Sequence, residues 1–508
     1  MKRPLFAILD DDSNDCYLMR RALKKHCLKP DVESFEKKDY FFNWLKTNVP
    51  TAVFVDLWIE RKKDPFDNGV HAIQSFRQDP KQTGSAILLT GGAIEQARSA
   101  AAGTPYADEI LEKMPFTEDK LCTTTIDKLI AKRLFSQPLN VGVYGMGALG
   151  KRVVSECFST FTQSGKPCVS KVRAISSFWN TCEGEPYYDN LPIIMGRQIG
   201  FNDDRLERFL DLDGVFNELD VLIITTGPYM KSSKGFDPNE IIDRQELIPL
   251  LLKGAADKVD YAYNEMMRQN WENGLVLMMT NPVGLLLYRG YKLYPEIKAR
   301  LTSITPDGQR IRTELYGLQQ EELKKIMGKD VNEAYINGVD IFGDHGREFG
   351  LLDQCYLQRG NTGEKYPLEI FNESFANPEY RFEKEKLIAE ISRSKGLLTV
   401  KAEKIMGWPS EDTRLPIKET LRDLATYQMF PRHSMHCLYE LSSSGTKRHG
   451  IKGYIQAPVR IDYKNWTVNH RTDYSSERLN RWSEDILSQL EGQFRLYHRH
   501  YSRGGLKI

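Results

Sequence analysis

Apolar residues in this chain gather in short dense runs, each closed by an acid, a glycine or a hydroxyl residue, with helical segments between them. Leu5–Leu9, Ala52–Leu57, Ala86–Leu89 and Glu109–Leu111 are such runs within the first 130 residues. Strands alternating with helices predict a parallel sheet with helices on both faces. The pattern resumes with a strand at Val141–Tyr144, a helix over Lys151–Phe158, and strands at Lys171–Ile175, Asp220–Gly227 and Leu275–Thr280. The fold class predicted is therefore α/β throughout. Near the end, Leu479, Trp482, Ile486, Leu490 and Phe494 recur at three- and four-residue steps. They predict one amphipathic helix over Ser475–Tyr501 that packs on the body or on a partner subunit.

A length of 508 residues exceeds what one core supports and predicts two or three domains. Hydrophobic content of 41% and charged content of 27% are ordinary for a soluble globular protein. A net charge of +1 supplies no global attraction to nucleic acid or to an acidic membrane. No apolar run approaches the roughly 18 residues of a membrane span, and Leu5–Leu9 reads as a buried first strand rather than a signal peptide. The eight cysteines form no C-x-x-C pair and read as free thiols in a reducing cytoplasm. No helix-turn-helix or zinc-finger pattern follows the first 130 residues, which excludes a DNA-binding output. Arg432–Cys437 holds two histidines and a cysteine, but no second half of a metal site is in sight.

Chemistry in parallel sheets collects at the carboxyl ends of the strands. Polar residues of the first module fall there: Asp10, Asp11 and Asp12 after the first strand, Asp56 and Thr90 at the ends of later ones, and Lys113 after the last. Two or three carboxylates on one rim bind a hard divalent cation, typically Mg²⁺ with several waters. The cation screens a phosphoryl group approaching Asp56, whose carboxylate can act as nucleophile and become an acyl phosphate. The Thr90 hydroxyl and Lys113 ammonium then hold the phosphoryl oxygens. The plainer alternative, acids that cap loops and helices, fits any one of them taken singly.

Over about residues 4–130 the chain resembles the receiver domain of two-component response regulators, a flavodoxin-like doubly wound fold. The matching pieces are Ile8–Asp12, Val53–Leu57, Leu88–Thr90 and Ala107–Lys113 with Pro115 and Phe116. The resemblance implies Asp56 as phospho-acceptor and Asp10, Asp11 and Asp56 as Mg²⁺ ligands, with Asp12 competing. It also implies Thr90 and Lys113 as phosphate contacts, and a sensor histidine kinase or phosphotransfer protein as partner. There are three departures: a long charged loop from Trp58 to Gly69, Met114 between Lys113 and Pro115, and Ile110 where an aromatic switch residue is usual. They imply retained phosphorylation chemistry with an altered conformational relay.

Ala131–Pro138 is too short to let two modules wander, which predicts close packing. A G-x-G-x-x-G turn follows at once: Gly145, Met146, Gly147, Ala148, Leu149 and Gly150, after a strand and before a helix. Gly145 permits the tight turn, Gly147 lets backbone approach a pyrophosphate, and Gly150 lets the helix pack on the strand. The acid that binds ribose hydroxyls in NAD-preferring folds is missing; the second strand ends in Ser176 and Ser177. Either NAD or NADP thus remains open as cofactor. Asn281, and His345 with a carboxylate and an arginine from another segment, have the chemistry of an acid–base site.

Over about residues 139–465 the chain resembles the lactate/malate dehydrogenase family. The resemblance rests on Gly145–Gly150, Asp220–Gly227, Thr280–Val283, Asp307–Arg312, Gly343–Gly346, Ser394–Gly396 and Tyr454–Val459. It implies His345 as proton donor and acceptor, Asp307 orienting it, Arg310 on the substrate carboxylate and Asn281 on the substrate or nicotinamide side. Gly145, Gly147, Ala148, Leu149, Gly150, Ser176, Thr226 and Gly227 would line the cofactor. Hydride transfer to or from a small 2-hydroxy or 2-oxo acid, and a homo-oligomer, are implied in turn. The family's mobile loop carries arginine over the substrate, whereas residues 228–238 here hold Lys231 and Lys234 and no Arg before Arg244. This departure keeps open a non-catalytic module that senses a nucleotide or metabolite or binds a partner. The reading places a receiver-type domain at 1–130, a linker at 131–138 and a Rossmann domain at 139–290. An α+β substrate domain at 291–470 and a helical extension at 471–508 complete it.

Overall fold

The computed structural model of the chain describes residues 3–59, 69–79, 81–92, 94, 106–162, 165–180, 203–227, 244–304, 334–337, 340–342, 349–351, 356–359, 365–367, 411–429, 435–440, 454–470, 495, 498–502 and 505–506. Five parallel strands form the first sheet: β1 (Leu5–Leu9), β2 (Asp31–Phe35), β3 (Ala52–Asp56), β4 (Ser85–Thr90) and β5 (Glu109–Glu112). Their order, β2-β1-β3-β4-β5, is the flavodoxin-like doubly wound order, with its switch point between β1 and β3. Alternate residues of β1 feed opposite cores. Phe6 and Ile8 join the cluster under helices Ser13–Lys25 and Asp119–Ala131, while Ala7 and Leu9 join the one under Lys38–Leu45 and Gly69–Gln78. Strand β2 has no apolar run: Asp31 and Glu33 are exposed on an edge strand that buries one face only.

The second sheet opens with β6 (Leu139–Tyr144), β7 (Val169–Ile175), β8 (Leu206–Phe209), β9 (Val221–Ile224), β10 (Leu275–Met278) and β11 (Leu301–Ile304). These six are parallel and lie in the order β8-β7-β6-β9-β10-β11. Counted from β6 this is 3-2-1-4-5-6, the order of a Rossmann sheet. Short strands follow as β12 (Ala334–Asn337), β13 (Asp340–Phe342), β14 (Phe349–Leu351), β15 (Tyr356–Arg359) and β16 (Lys365–Pro367), paired β12-β15-β16 and β13-β14. Then β17 (Met435–Glu440), β18 (Tyr454–Asp462) and β19 (Thr467–His470) extend the large sheet antiparallel from β11. The segment 291–470 thus supplies the sixth Rossmann strand and its antiparallel continuation. Two hydroxyls disguise β11 in the sequence. The structure satisfies them in the core: Thr302 and Ser303 donate to the His436 carbonyl at 2.7 and 3.2 Å.

Residues 131–138 are packed rather than loose, as their length predicts. Phe135 is fully buried, with its ring 5.0 Å from Phe6 and 6.3 Å from Phe54. Ser85 donates to the Leu134 carbonyl, the Gln137 N–H donates to the Ala425 carbonyl at 2.8 Å, and the Tyr427 hydroxyl donates to Gln137. Arg133 and Asp423, both buried, form an ion pair. One apolar cluster consequently runs from Phe6 and Phe54 of the first sheet to Leu139, Val141 and Val143 of the second. Helix Glu411–Ala425 also brings Arg414 and Lys418 within 3.3 Å of buried Glu156 on helix Ala148–Phe158.

Of the helix expected over 475–501, Leu479, Trp482, Ile486, Leu490 and Phe494 lie outside the described residues. His498–Ser502 is helical, and buried Tyr501 donates its hydroxyl to the Leu285 carbonyl, so this end packs on the body. Among the described residues no helix is long and apolar enough to cross a membrane. The six described cysteines are free.

Candidate functional site

At the carboxyl end of the first sheet the structure brings together Asp10, Asp11 and Asp56, with ligand oxygens that all lie within 4.8 Å of one another. Strand register does the rest. Leu89 of β4 pairs with Asp56, and Thr90, one residue further, pairs with Glu112, whose successor is Lys113. The Lys113 Nζ lies 2.6 Å from Asp10 Oδ2, 2.7 Å from Asp15 Oδ2 and 3.6 Å from Asp56 Oδ1. The Lys113 N–H donates to the Thr90 carbonyl, and buried Thr90 accepts from the Gly92 N–H through Oγ1 at 3.1 Å. Asp12 is a helix cap: its Oδ1 accepts from the N–H groups of Asn14 and Asp15 at 2.8 and 3.2 Å. The capping alternative therefore holds for Asp12, while the oxygens of Asp10, Asp11 and Asp56 are close enough together that they could hold a metal ion. Asp15, not singled out in the sequence, is the third carboxylate on Lys113. Its one signal is an acid in the first turn of helix Ser13–Lys25. Met114–Thr117 forms a 3-10 turn with Pro115 inside it, and Ile110 is half-buried on β5.

Burial raises the Asp10 carboxyl to about 6, against the pull of Lys113 and of the Asp12 N–H, which donates to it. Burial raises Asp56 as well, with Lys113 again pulling down. Burial opposes the Lys113 charge, but Asp10, Asp15 and Asp56 outweigh it and lift its pKa above the ordinary lysine range. The folded chain keeps a proton on Asp10 at a pH where the unfolded chain has lost it. Stability from this group is therefore lost as pH rises from 3.8 to about 6. A cation seated among these acids offsets that loss. In thermal melts, Mg²⁺ is expected to raise Tm more at about pH 7 than at about pH 5. Asp10→Asn is expected to stabilise the cation-free chain near neutrality by on the order of 2 kcal/mol and to remove the Mg²⁺ increment. An increment that ignores pH and survives in Asp10→Asn would refute this.

The second rim is set the same way. Tyr144 pairs with Ile175 and Ile224, and Ile224 with Met278, so Gly145, Ser176, Thr225 and Met279 start together at the carboxyl edge. Gly145 has φ +107, and a Cβ on it would stand 2.7 Å from the Thr226 backbone. A Cβ on Gly150 would stand 1.8 Å from the Gly145 carbonyl oxygen, which also accepts from Thr225 Oγ1 at 2.7 Å. Only glycine fits at either place. Gly147 is the reverse: it is exposed, and nothing lies within 4 Å of where its Cβ would be. No side chain caps the helix Ala148–Phe158 that starts here, with Ala148 exposed and Leu149 half-buried. An open glycine at an uncapped helix start fits the close approach of a pyrophosphate.

Ser176 follows β7; its N–H donates to the Phe209 carbonyl, and its Oγ accepts from the Phe178 N–H at 3.1 Å. The Thr226 carbonyl accepts from Thr280 Oγ1 at 2.6 Å, and Lys258 Nζ lies 3.4 Å from the Gly227 carbonyl oxygen. Asn281 is exposed beyond β10, joined to Pro282 by a cis peptide bond. The rim therefore unites Gly145, Gly147, Ala148, Leu149, Gly150, Ser176, Thr226, Gly227 and Asn281. His345, Asp307 and Arg310 lie outside the described residues, as does the loop 228–238. Thr225 and Thr280, which brace this edge, lie within the segments Asp220–Gly227 and Thr280–Val283, but a threonine at an apolar strand end carries no signal of its own that marks such a role.

No protein-family model and no curated protein matches the chain. Among solved structures it is similar to a lactate dehydrogenase, MGS-M5, from a Medee basin deep-sea metagenome library, at 17% identity and TM-score 0.49, covering 73% of this chain and 99% of that one. It is also similar to the apo malate dehydrogenase of Picrophilus torridus, at 15% identity and TM-score 0.47, over 72% of this chain and 99% of that one. A third is Trichomonas vaginalis lactate dehydrogenase in complex with NADH and oxamate, at 12% identity and TM-score 0.42, over 72% and 99%. At such identities the chemistry has to be read from this chain's own residues.

Proposed function

We propose that the chain is a cytoplasmic response regulator whose receiver-type module, residues 1–130, controls an NAD(P)-linked oxidoreductase module for a small 2-hydroxy or 2-oxo acid. One observation carries the reading: the Asp10, Asp11 and Asp56 carboxylates converge with Lys113 on a chain whose next sheet has Rossmann order and an open glycine turn at its switch point. The phosphoryl donor is a phosphohistidine of a sensor kinase or phosphotransfer protein. The Asp56 carboxylate attacks phosphorus; the O–P bond forms as the P–N bond breaks, and the imidazole nitrogen takes a proton from solvent. Mg²⁺, when held by Asp10, Asp11 and Asp56, supplies charge neutralisation there. Thr90 and Lys113 take the phosphoryl oxygens. Lys113 then exchanges carboxylate partners for phosphoryl oxygens, which alters the charge balance at the end of β5.

In the second module the dehydrogenase resemblance assigns proton transfer to His345, with Asp307 orienting it, Arg310 on the substrate carboxylate and Asn281 on the substrate or nicotinamide side. The nicotinamide, when bound, supplies the hydride exchange with that carbon. His345 takes the hydroxyl proton as the alcohol is oxidised and returns it in reduction. A homo-oligomer accompanies this reading. The test is reduced-nicotinamide absorbance across a panel of 2-oxo acids, with and without an acyl-phosphate donor. Turnover is expected, cut by roughly a hundredfold or more in His345→Ala; no turnover with any acid overturns the oxidoreductase reading. The second reading, a module that binds nucleotide or metabolite without turning it over, is favoured by the loop 228–238. Its Lys231 and Lys234 lack the planar fork that grips a carboxylate. Nucleotide binding without turnover would support it.

A further inference from the structure

We propose that the junction of the two modules holds a site for a soft monovalent cation of the copper(I) type, with the Cys27 thiolate, the Met429 thioether and His26 Nδ1 as its ligands. His26 caps the carboxyl end of helix Ser13–Lys25 in the first module, and exposed Cys27 follows it. Half-buried Met429 comes from the second module, just after helix Glu411–Ala425. The Cys27 Sγ lies 3.7 Å from Met429 Sδ and 3.8 Å from His26 Nδ1. Bonds from a d¹⁰ ion are about 2.3 Å to sulfur and about 2.0 Å to an imidazole nitrogen, which sets such donors roughly 3.5–4 Å apart at tetrahedral to trigonal angles. Both spacings already fall in that range.

Hydrogen bonding decides which imidazole nitrogen is offered. The Leu28 N–H donates to His26 Nδ1 at 3.2 Å, so Nδ1 carries a lone pair and the ring proton sits on Nε2. Nε2 then donates to Asp127 Oδ1 at 3.1 Å. A carboxylate on the far nitrogen orients a ligating histidine and raises its basicity. The buried ring has to exchange only the long Leu28 bond for the ion. Asp127 lies within 4.8 Å of the other donors, but its bond to Nε2 employs it behind the ring. The backbone around Met429 is fixed: Gln428 Nε2 donates to the Ile130 carbonyl at 2.6 Å, and the Ile461 N–H to the Met429 carbonyl at 2.8 Å. A cavity of about 350 Å³ opens beside Cys27, Leu28, Met429 and Arg460 and gives an ion its way in.

The donors and the neighbouring charge select the ion. Thiolate and thioether sulfur favour copper(I) over hard cations. Burial and Asp127 push the Cys27 thiol up while Arg460 pulls it down, so the ion enters by displacing the thiol proton to solvent. A monovalent ion on one thiolate is a neutral pair. A divalent ion on the same three ligands leaves a positive charge in the neighbourhood of Arg460.

The test mixes copper(I), kept reduced by ascorbate under nitrogen, with the purified full chain and a chromophoric copper(I) chelator. One ion per chain is expected to be withheld from the chelator, and excess Zn²⁺ is expected not to release it. Cys27→Ser is expected to weaken the binding by about a hundredfold, since a hydroxyl is a poor ligand for a soft ion. Met429→Leu, which keeps the volume, and Asp127→Asn are each expected to weaken it by roughly tenfold. Melts without the ion check that each variant is folded. A parent chain that yields all its copper to the chelator overturns the site, as does retention unchanged in Cys27→Ser. Release by Zn²⁺, or retention unchanged in Met429→Leu, overturns the soft ligand set.

Discussion

Asp423→Leu, with Arg133 left in place, is expected to destabilise the chain by about 3–5 kcal/mol, because it strands a buried guanidinium. The two residues are 290 apart in sequence, and both are buried where the first module meets the second. Arg133 sits at φ +56 just past the end of helix Asp119–Ala131, so its direction is set by a turn that cannot easily re-aim it toward water. Nearby groups are already engaged: the Tyr463 hydroxyl donates to the Asp423 carbonyl at 3.3 Å and to the Gln428 carbonyl at 2.9 Å. The double variant Arg133→Met with Asp423→Leu is expected to recover most of the loss, since removing both charges leaves no orphan. Urea unfolding of the full chain checks this through the midpoint of the first transition. A single variant within about 1 kcal/mol of the parent would show that water reaches the pair.

The second large effect is all-or-none. Incubated with an acyl-phosphate donor and Mg²⁺, the chain is expected to gain one phosphoryl group by intact mass, and Asp56→Ala to gain none. Asp56 is buried at 6% exposure, yet its Oδ1 faces Lys113 at 3.6 Å while Oδ2 is held by the Trp58 N–H at 3.1 Å. One oxygen is thus tethered, and the other faces the charge that would receive the phosphoryl group. Lys113→Met is expected to lower uptake without abolishing it, since the nucleophile and cation set persist. Equal uptake in Asp56→Ala would move the acceptor elsewhere and remove the basis for the first module's role.

What the sequence makes legible follows from burial. Strands β1, β3, β4, β9 and β10 are buried on both faces or nearly so, and their central residues are apolar in unbroken runs. The edge strands β2 and β8 bury less and keep their charges, among them Glu33 and Glu207, the latter paired with Lys171 and Arg173. Run length cannot find them. The glycine turn is equally local, because each of its demands, a positive φ at Gly145 and a Cβ-free contact at Gly150, concerns residues five apart or a neighbouring strand end.

The order Asp10, Asp56, Thr90, Lys113 was readable because parallel strands deliver their carboxyl ends to one rim whatever lies between them. Which acid does what was not readable. Asp10, Asp11 and Asp12 are consecutive, and only the direction of helix Ser13–Lys25 makes Asp12 its cap while Asp10 and Asp11 gather with Asp56. Asp15 reaches Lys113 for the same reason. By itself, then, the sequence determined the two parallel sheets, the glycine turn and the ordered polar residues at strand ends, since these depend on short-range pattern and on strand polarity. Tertiary structure alone decided the addition of β11 and β17–β19 to one continuous sheet, the role of each neighbouring acid, and the buried Arg133–Asp423 contact between the modules. The antiparallel extension and the buried pair depend on packing between segments 133 and 290 residues apart, and the acids' roles on where one helix begins, none of which a run of apolar residues encodes.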